Sequence, residues 1–234
     1  MGLMKMGHAA IRQANSKDAQ ALAMLKKTIW QEEESDPRKI TAALSHPDHK
    51  TFVAEAGDQI IGFVDGFSTL SARCVLRWEV DLLGVAPAWR GHRLGEHLTR
   101  ACLQAGQKRG ARLARALIQV NNFASQITFQ RLEFISQAMI YRLYVTRTPV
   151  AELPSSSHAH LISVVTFNYC GVWLEEDFSP SALITGRAAL NNPMNELAGV
   201  LIPEDKPESI QFAETQGFSL VGFYQWWQIA LKSS

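Results

Sequence analysis

The sequence predicts an α/β (α+β) fold: a mixed central sheet flanked by helices, followed by a shorter αβ half that repeats part of the first. Three observations predict it. Apolar residues alternate over 80–85 and then recur at helical spacing at Leu94, Leu98, Ala101, Cys102 and Ala105, with a Pro87 corner and an Arg/Gly loop between them. Around this junction, strand and helix patterns follow one another from residue 9 to 147 in the order strand, two helices, three strands, helix, strand, helix, strand. Finally, residues 113–134 align without a gap on residues 197–218, an offset of 84 that leaves six of 22 pairs identical, Leu117-Ile118 with Leu201-Ile202 and Phe134 with Phe218 among them.

In chain order, residues 9–14 read as a short strand, and Asn15 and Asp18 cap a helix whose apolar face is Ala21, Leu22, Leu25, Ile29 and Trp30. Asp36-Pro37 is an N-cap with proline at the first helical position, so a second helix runs to about Ser45. Residues 51–56 and 59–67 flank Gly57-Asp58, a hairpin signal. Residues 77–85 are the central strand, 111–120 a buried strand, 124–132 a helix and 134–145 a strand. Residues 149–159 have linker composition; the expected units are 9–148 and a truncated half over 160–234. In that half, 167–174 is the counterpart of the central strand, 182–190 a shortened helix, and 218–231 an apolar strand or hairpin.

Composition bounds the function. The 234 residues carry 47% hydrophobic and 19% charged side chains, enough to bury a core, and a net charge of +1. From residue 151 onward there are 3 Lys/Arg against 9 Asp/Glu, whereas the first 150 residues carry 20 against 13. A basic front suited to a phosphorylated ligand and an acidic back are implied. The Arg112 and Arg115 pair is too small a basic stripe for a nucleic-acid partner. No apolar run is long enough to span a membrane and Met6 stands where myristoylation wants Ser or Thr, so the expectation is a cytoplasmic protein with no membrane partner. Cys74, Cys102 and Cys170 have no paired spacing and are expected as buried free thiols. His46, His49, His158 and His160 lack a third ligand at sensible spacing, so no metal is expected.

The junction is built to bind an anion. The first amides of a helix have no intrahelical acceptor and carry the positive end of its dipole, so residues 90–96 can present several N–H groups to one phosphate. Arg90, His92 and Arg93 add charge. Arg90-Gly-His-Arg-Leu-Gly95, after Leu83-Gly-Val-Ala-Pro87, resembles the acyl-CoA signature of the GNAT superfamily of N-acyltransferases, Arg/Gln-x-x-Gly-x-Gly/Ala, with Arg93 in place of its first glycine. Asn122 through Phe134 resembles the family's second motif, with Phe129 where a tyrosine usually meets the CoA sulfur and Glu133 in place of a glycine. The resemblance covers about residues 9–147. It implies that the central and following strands splay apart around the acyl-pantetheine arm, and that acetyl-CoA contacts Leu83, Gly84, Val85, Arg90, Gly91, His92, Arg93, Leu94, Gly95, Glu96, Asn122, Ser125 and Phe129. It further implies an acceptor pocket built by residues 30–45 and 67–74. The truncated half has Glu176-Asp177 where the first has its Arg/Gly loop, so it is expected to bind no CoA and to cover sheet surface or an edge of the first half.

Acyl transfer to an amine needs a base, since an amine of pKa near 10.4 is almost wholly protonated at pH 7. Glu79 and Asp81 have the same parity on the central strand and are the candidates; a backbone N–H near Val85 would hold the oxyanion, and Ser125 is the candidate proton donor in place of the absent tyrosine. The function expected is acetyl-CoA-dependent transfer of an acetyl group to a primary amine of a small molecule or protein. The alternative is a catalytically silent acyl-CoA-binding or protein-interaction module of the same fold. Either is compatible with a monomer carrying an internal duplication or with a homodimer.

Overall fold

The computed structural model describes residues 9–151 and 159–232. The chain runs β1 (Ala10–Gln13), α1 (Ala19–Ile29), α2 (Pro37–Ser45), β2 (Phe52–Ala56), β3 (Gln59–Leu70), β4 (Leu76–Val85), α3 (Leu94–Lys108), β5 (Leu113–Gln119), α4 (Phe123–Arg131), β6 (Ile135–Ser136) and β7 (Tyr141–Thr146). The second half supplies β8 (His160–Val165), β9 (Cys170–Glu175), α5 (Pro180–Ala188), β10 (Leu197–Pro203), α6 (Pro207–Thr215) and β11 (Ser219–Ala230). The expected strand over 134–145 is two strands, separated by residues 137–140, and 218–231 is one long strand rather than a hairpin. Of the linker expected over 149–159, residues 152–158, His158 included, lie outside the described residues.

The eleven described strands form a single sheet in the order β1-β2-β3-β4-β5-β11-β7-β10-β9-β8, with β6 against β11. The two halves exchange their last strands. Instead of returning beside β5, β7 pairs antiparallel with β10 of the second half, and β11 of the second half takes the place beside β5. The exchange is reciprocal to within one residue at the offset of 84: Ile118 lies opposite Gln225, and Ile202 opposite Arg142. The helix ends repeat as well. Phe134 N–H donates to Phe129 O at 3.1 Å and Phe218 N–H to Ala213 O at 3.0 Å, after left-handed residues Glu133 (φ 64°) and Gly217 (φ 77°).

α3 packs on one face of the sheet around the fully buried Trp78, whose indole N–H donates to Cys102 Sγ at 3.2 Å. A Cβ at Gly66 or Gly106 would stand 2.5 Å from Cys102 Sγ or the Trp78 ring, so these two glycines let the helix approach. α1 and α2 cover the other face, Leu22, Leu25 and Ile40 clustering with Phe63 of β3. On that second face the sheet curls until the far half meets the near one. Phe67 packs on Trp173 and Phe63 on Phe167, with centroids 5.7 and 5.8 Å apart, and Lys39 bonds Asn168 O at 3.1 Å. The second half therefore lends a strand to the first and also folds over its face. Among the cysteines only Cys102 is buried; Cys170 is intermediate and Cys74 is exposed on the β3–β4 turn, where it takes a left-handed conformation (φ 59°) beside the exposed Val75.

Candidate functional site

β4 and β5 pair in parallel only from Arg77 opposite Leu113 to Glu79 opposite Arg115; beyond that they part. The parting follows a bulge in β4, where Asp81 and Leu82 together oppose Asp65 of β3. Past the bulge, Ala86 N–H donates to Ile61 O at 2.8 Å, and Val85 lies opposite Gly62. In an antiparallel ladder successive residues turn their amides to opposite sides. The Val85 N–H therefore points away from β3 into the opening.

On the α3 side of the opening lies a cleft of about 430 Å³. Its wall on β4 is Leu83, Gly84 and Val85; its floor is the loop and first turn of α3, Arg90, Gly91, Arg93, Leu94, Gly95 and Glu96; Asn122 and Ser125 of α4 close the far side. These expected contacts are thus brought together, and Ile29, Trp30 and Trp89 join them. Two are not. His92 is exposed, with its ring nitrogen 3.3 Å from Trp89 O, and Phe129 is buried in the core against Phe134, ring centroids 4.9 Å apart.

The loop has the geometry an anion requires. Arg93 is the N-cap of α3 and takes the left-handed conformation (φ 59°, ψ 16°) that its position demands, and no side chain caps the amides that follow. Arg90 Nε holds Val85 O at 3.2 Å. Glu96 would oppose an anion, but Arg131 Nη1 binds it at 3.1 Å. Asn122 Oδ1 accepts from Ser125 N–H at 3.2 Å, which caps α4 at the cleft edge.

On the opposite face of β4 the two candidate carboxylates meet different fates. Glu79 is buried and locked. Arg115 Nε reaches its two oxygens at 2.8 and 2.9 Å, Thr69 donates to it, and Glu175 from the second half binds Arg115 and, at 2.8 Å, Arg77. Asp81, two residues on, has no hydrogen bond or ion pair from any described side chain and looks into a cavity of about 250 Å³. Burial and the neighbouring Asp65 carboxylate push its pKa up from 3.8 to about 7, against the smaller pull of His49 and Lys26. Asp65 itself is held by His49 Nδ1 at 3.0 Å and Thr51 Oγ1 at 2.6 Å.

That cavity belongs to both halves. Beside Asp81, Leu82 and Leu117 of the first half stand Tyr169, Trp173, Tyr224 and Trp226 of the second, and none of its lining comes from residues 30–45 or 67–74. Trp226-Trp227 was visible in the sequence only as an apolar stretch; the strand exchange turns Trp226 to the cavity and Trp227 to the core against α3. Among the described residues no group of three His, Cys, Asp or Glu side chains is placed to hold a metal ion, and no helix is long and apolar enough to cross a membrane.

Comparison with known proteins agrees with this geometry. The model of the acetyltransferase (GNAT) family matches residues 11–134. N-alpha-acetyltransferase 30 of Schizosaccharomyces pombe is 30% identical over 98 residues, 42% of this chain; the match spans 65% of that protein's length. Two solved structures superpose on nearly the whole chain, which extends the likeness in fold to the second half. A Pyrococcus horikoshii protein assigned to the acetyltransferases has TM-score 0.62 at 14% identity, covering 99% of this chain and 92% of its own. A tandem GNAT protein from the clavulanic acid biosynthesis pathway has TM-score 0.61 at 10% identity, covering 97% and 100%. With the parted strands, the uncapped helix and the matched family model, the chain belongs to the GNAT acetyltransferase family.

Proposed function

We propose that the protein is an acetyl-CoA-dependent N-acetyltransferase acting on a primary amine of a small molecule or protein, with its acyl-donor site in residues 9–148. The observation that carries the reading is Asp81, a carboxyl at the bulge of β4 with no hydrogen bond from a described side chain, facing a cavity on one side of the opening while the uncapped N-terminus of α3 lies on the other. The residues of the cleft suit acetyl-CoA: α3 amides with Arg90 and Arg93 for the pyrophosphate, and the parted β4 edge for the amide-rich arm.

On this reading Asp81 takes a proton from the ammonium, and the freed lone pair attacks the thioester carbonyl carbon. Raising a carboxyl from 3.8 to about 7 makes that proton removal more favourable by roughly 4 kcal/mol. As the C–N bond forms, the Val85 N–H receives the negative charge on the carbonyl oxygen. The C–S bond then breaks, the thiolate, of ordinary pKa near 8.5, leaves, and the second proton of the now cationic nitrogen passes to it, relayed by Ser125 or solvent. Glu79 holds Arg115 and Arg77 in place and is assigned no part in proton transfer.

The test is Asp81→Asn. Turnover should fall about 10²- to 10⁴-fold, with acetyl-CoA affinity by calorimetry unchanged. In the wild type kcat/KM should rise with pH through an inflection near 7, since the base must be deprotonated. Unchanged turnover in Asp81→Asn, with loss in a correctly folded Glu79→Gln, would move the base role to Glu79. A second reading, a silent acyl-CoA-binding module, is favoured by Phe129, which brings no hydroxyl to the site and lies in the core. It predicts acetyl-CoA binding without release of CoA in the presence of any amine.

A further inference from the structure

The cavity beyond Asp81 has a composition that selects its occupant. Its volume, about 250 Å³, holds roughly ten to twelve non-hydrogen atoms at interior packing density. Leu82, Leu117, Leu143 and Val200 make most of its wall apolar, and Trp173 and Tyr169 form an aromatic side held rigid by the indole N–H donating to the phenol oxygen at 2.6 Å. Phe67 buttresses Trp173 from behind. Two carboxylates reach the space, but Glu175 is held by Arg77 and Arg115, which leaves Asp81 as the one acid of the lining with no hydrogen bond or ion pair from a described side chain. A guest with one cationic nitrogen is thereby matched; a polyamine would leave further charges buried without partners, and a peptide would leave its backbone groups without hydrogen bonds.

We propose that this cavity, walled by the second half, is the acceptor site, and that the acceptor is a small primary amine carried on a flat apolar body, not a polypeptide N-terminus or a polyamine. The proposal rests on the acetyltransferase reading for its chemistry and on the cavity for its specificity. The ammonium sits against Asp81, where the aromatic faces of Trp173 and Tyr169 also favour a cation. The apolar body fills the space towards Gly199 and Leu143. Because consecutive residues of β4 line the two spaces, Asp81 and Leu82 this cavity and Leu83 to Val85 the cleft, the nitrogen is delivered at the edge that the thioester would occupy.

Gly199 makes the test specific. A Cβ there meets only ordinary side-chain contacts, the nearest being Trp173 Cδ1 at 3.5 Å, so Gly199→Val takes volume out of the cavity with no backbone atom crowding the new Cβ. The full-length protein and this variant are titrated calorimetrically with 2-phenylethylamine in the presence of CoA. Both are then assayed with acetyl-CoA and 2-phenylethylamine, methylamine, spermidine, or a heptapeptide with a free N-terminus. The expected result is a kcat/KM for 2-phenylethylamine about tenfold or more above spermidine and the peptide. Gly199→Val should remove about tenfold or more of it, a loss several-fold larger than that for methylamine, with acetyl-CoA affinity unchanged. Preference for the peptide or spermidine, or indifference of 2-phenylethylamine to Gly199→Val, overturns the acceptor assignment and leaves the acetyltransferase reading standing. If acetyl-CoA binds but no amine is acetylated, it is the acetyltransferase reading that falls. The cavity is then judged by calorimetry: 2-phenylethylamine binding that Gly199→Val abolishes supports it, and no binding refutes it.

Discussion

Asp81 is held in a state that the fold does not favour. Its pKa is raised by burial and by Asp65, so between the ordinary 3.8 and about 7 the folded chain binds a proton that the unfolded chain releases. Stability therefore falls as pH rises across that window. The full loss, up to about 4 kcal/mol, is present above pH 7 and absent below pH 4. Asparagine keeps the shape and carries no charge. Asp81→Asn should thus melt at a higher temperature than wild type at pH 8 and at nearly the same temperature at pH 4, by calorimetric scans across that range; equal melting temperatures at pH 8 would show the carboxylate to be already compensated. Sequence parity placed Glu79 and Asp81 on one face but could not rank them. The difference comes from Arg115, 36 residues away, which binds Glu79 and is itself held by Glu175 of the second half, whereas no described side chain bonds Asp81.

At the scale of elements, the strand, loop and helix around Arg90 were legible because each signal is local: apolar alternation, Pro87, then a 3.6 period. The conformation of Arg93 was not. Arginine resists φ near +59°, yet the sharp entry into α3 imposes it, at about 1–2 kcal/mol. Glu133 pays the same kind of penalty at the end of α4, where the second half has Gly217. Arg93→Gly should relieve the strain at the expense of a more flexible unfolded chain, leaving a net gain of up to about 1 kcal/mol and a melting temperature about 2–4 °C higher. An unchanged or lower melting temperature would mean that the Arg93 side chain contributes contacts worth the strain. Arg90→Ala, in contrast, removes both a positive charge from the cleft and the bond to Val85 O, and on the proposed reading should weaken acetyl-CoA at least about tenfold by titration.

At the scale of the molecule, the repeat at an offset of 84 pointed to a second half that covers the first, but the exchange of last strands left no local trace, because pairing partners are chosen across the fold and not within a window. The consequence is that neither half is complete alone. Residues 1–150 would expose β5 and β7 as open edges, lose the Trp226 ring that stacks 4.0 Å from the Arg115 guanidinium, and strip Arg77 and Arg115 of Glu175. A buried pair broken by removal of one partner costs roughly 3–5 kcal/mol, a large share of the 5–15 kcal/mol by which an ordinary domain is stable. Glu175→Ala in the full chain should therefore lower stability to denaturant by about that amount, while Lys39→Ala, which breaks a partly exposed bridge to Glu196 and the bond to Asn168 O between the halves, should cost only about 1 kcal/mol. The excised 1–150 segment should be aggregated or lack cooperative melting by circular dichroism and size-exclusion chromatography. A soluble segment that melts cooperatively and binds acetyl-CoA as tightly as the whole chain would show that β7 can return beside β5, and that the second half serves the acceptor cavity alone.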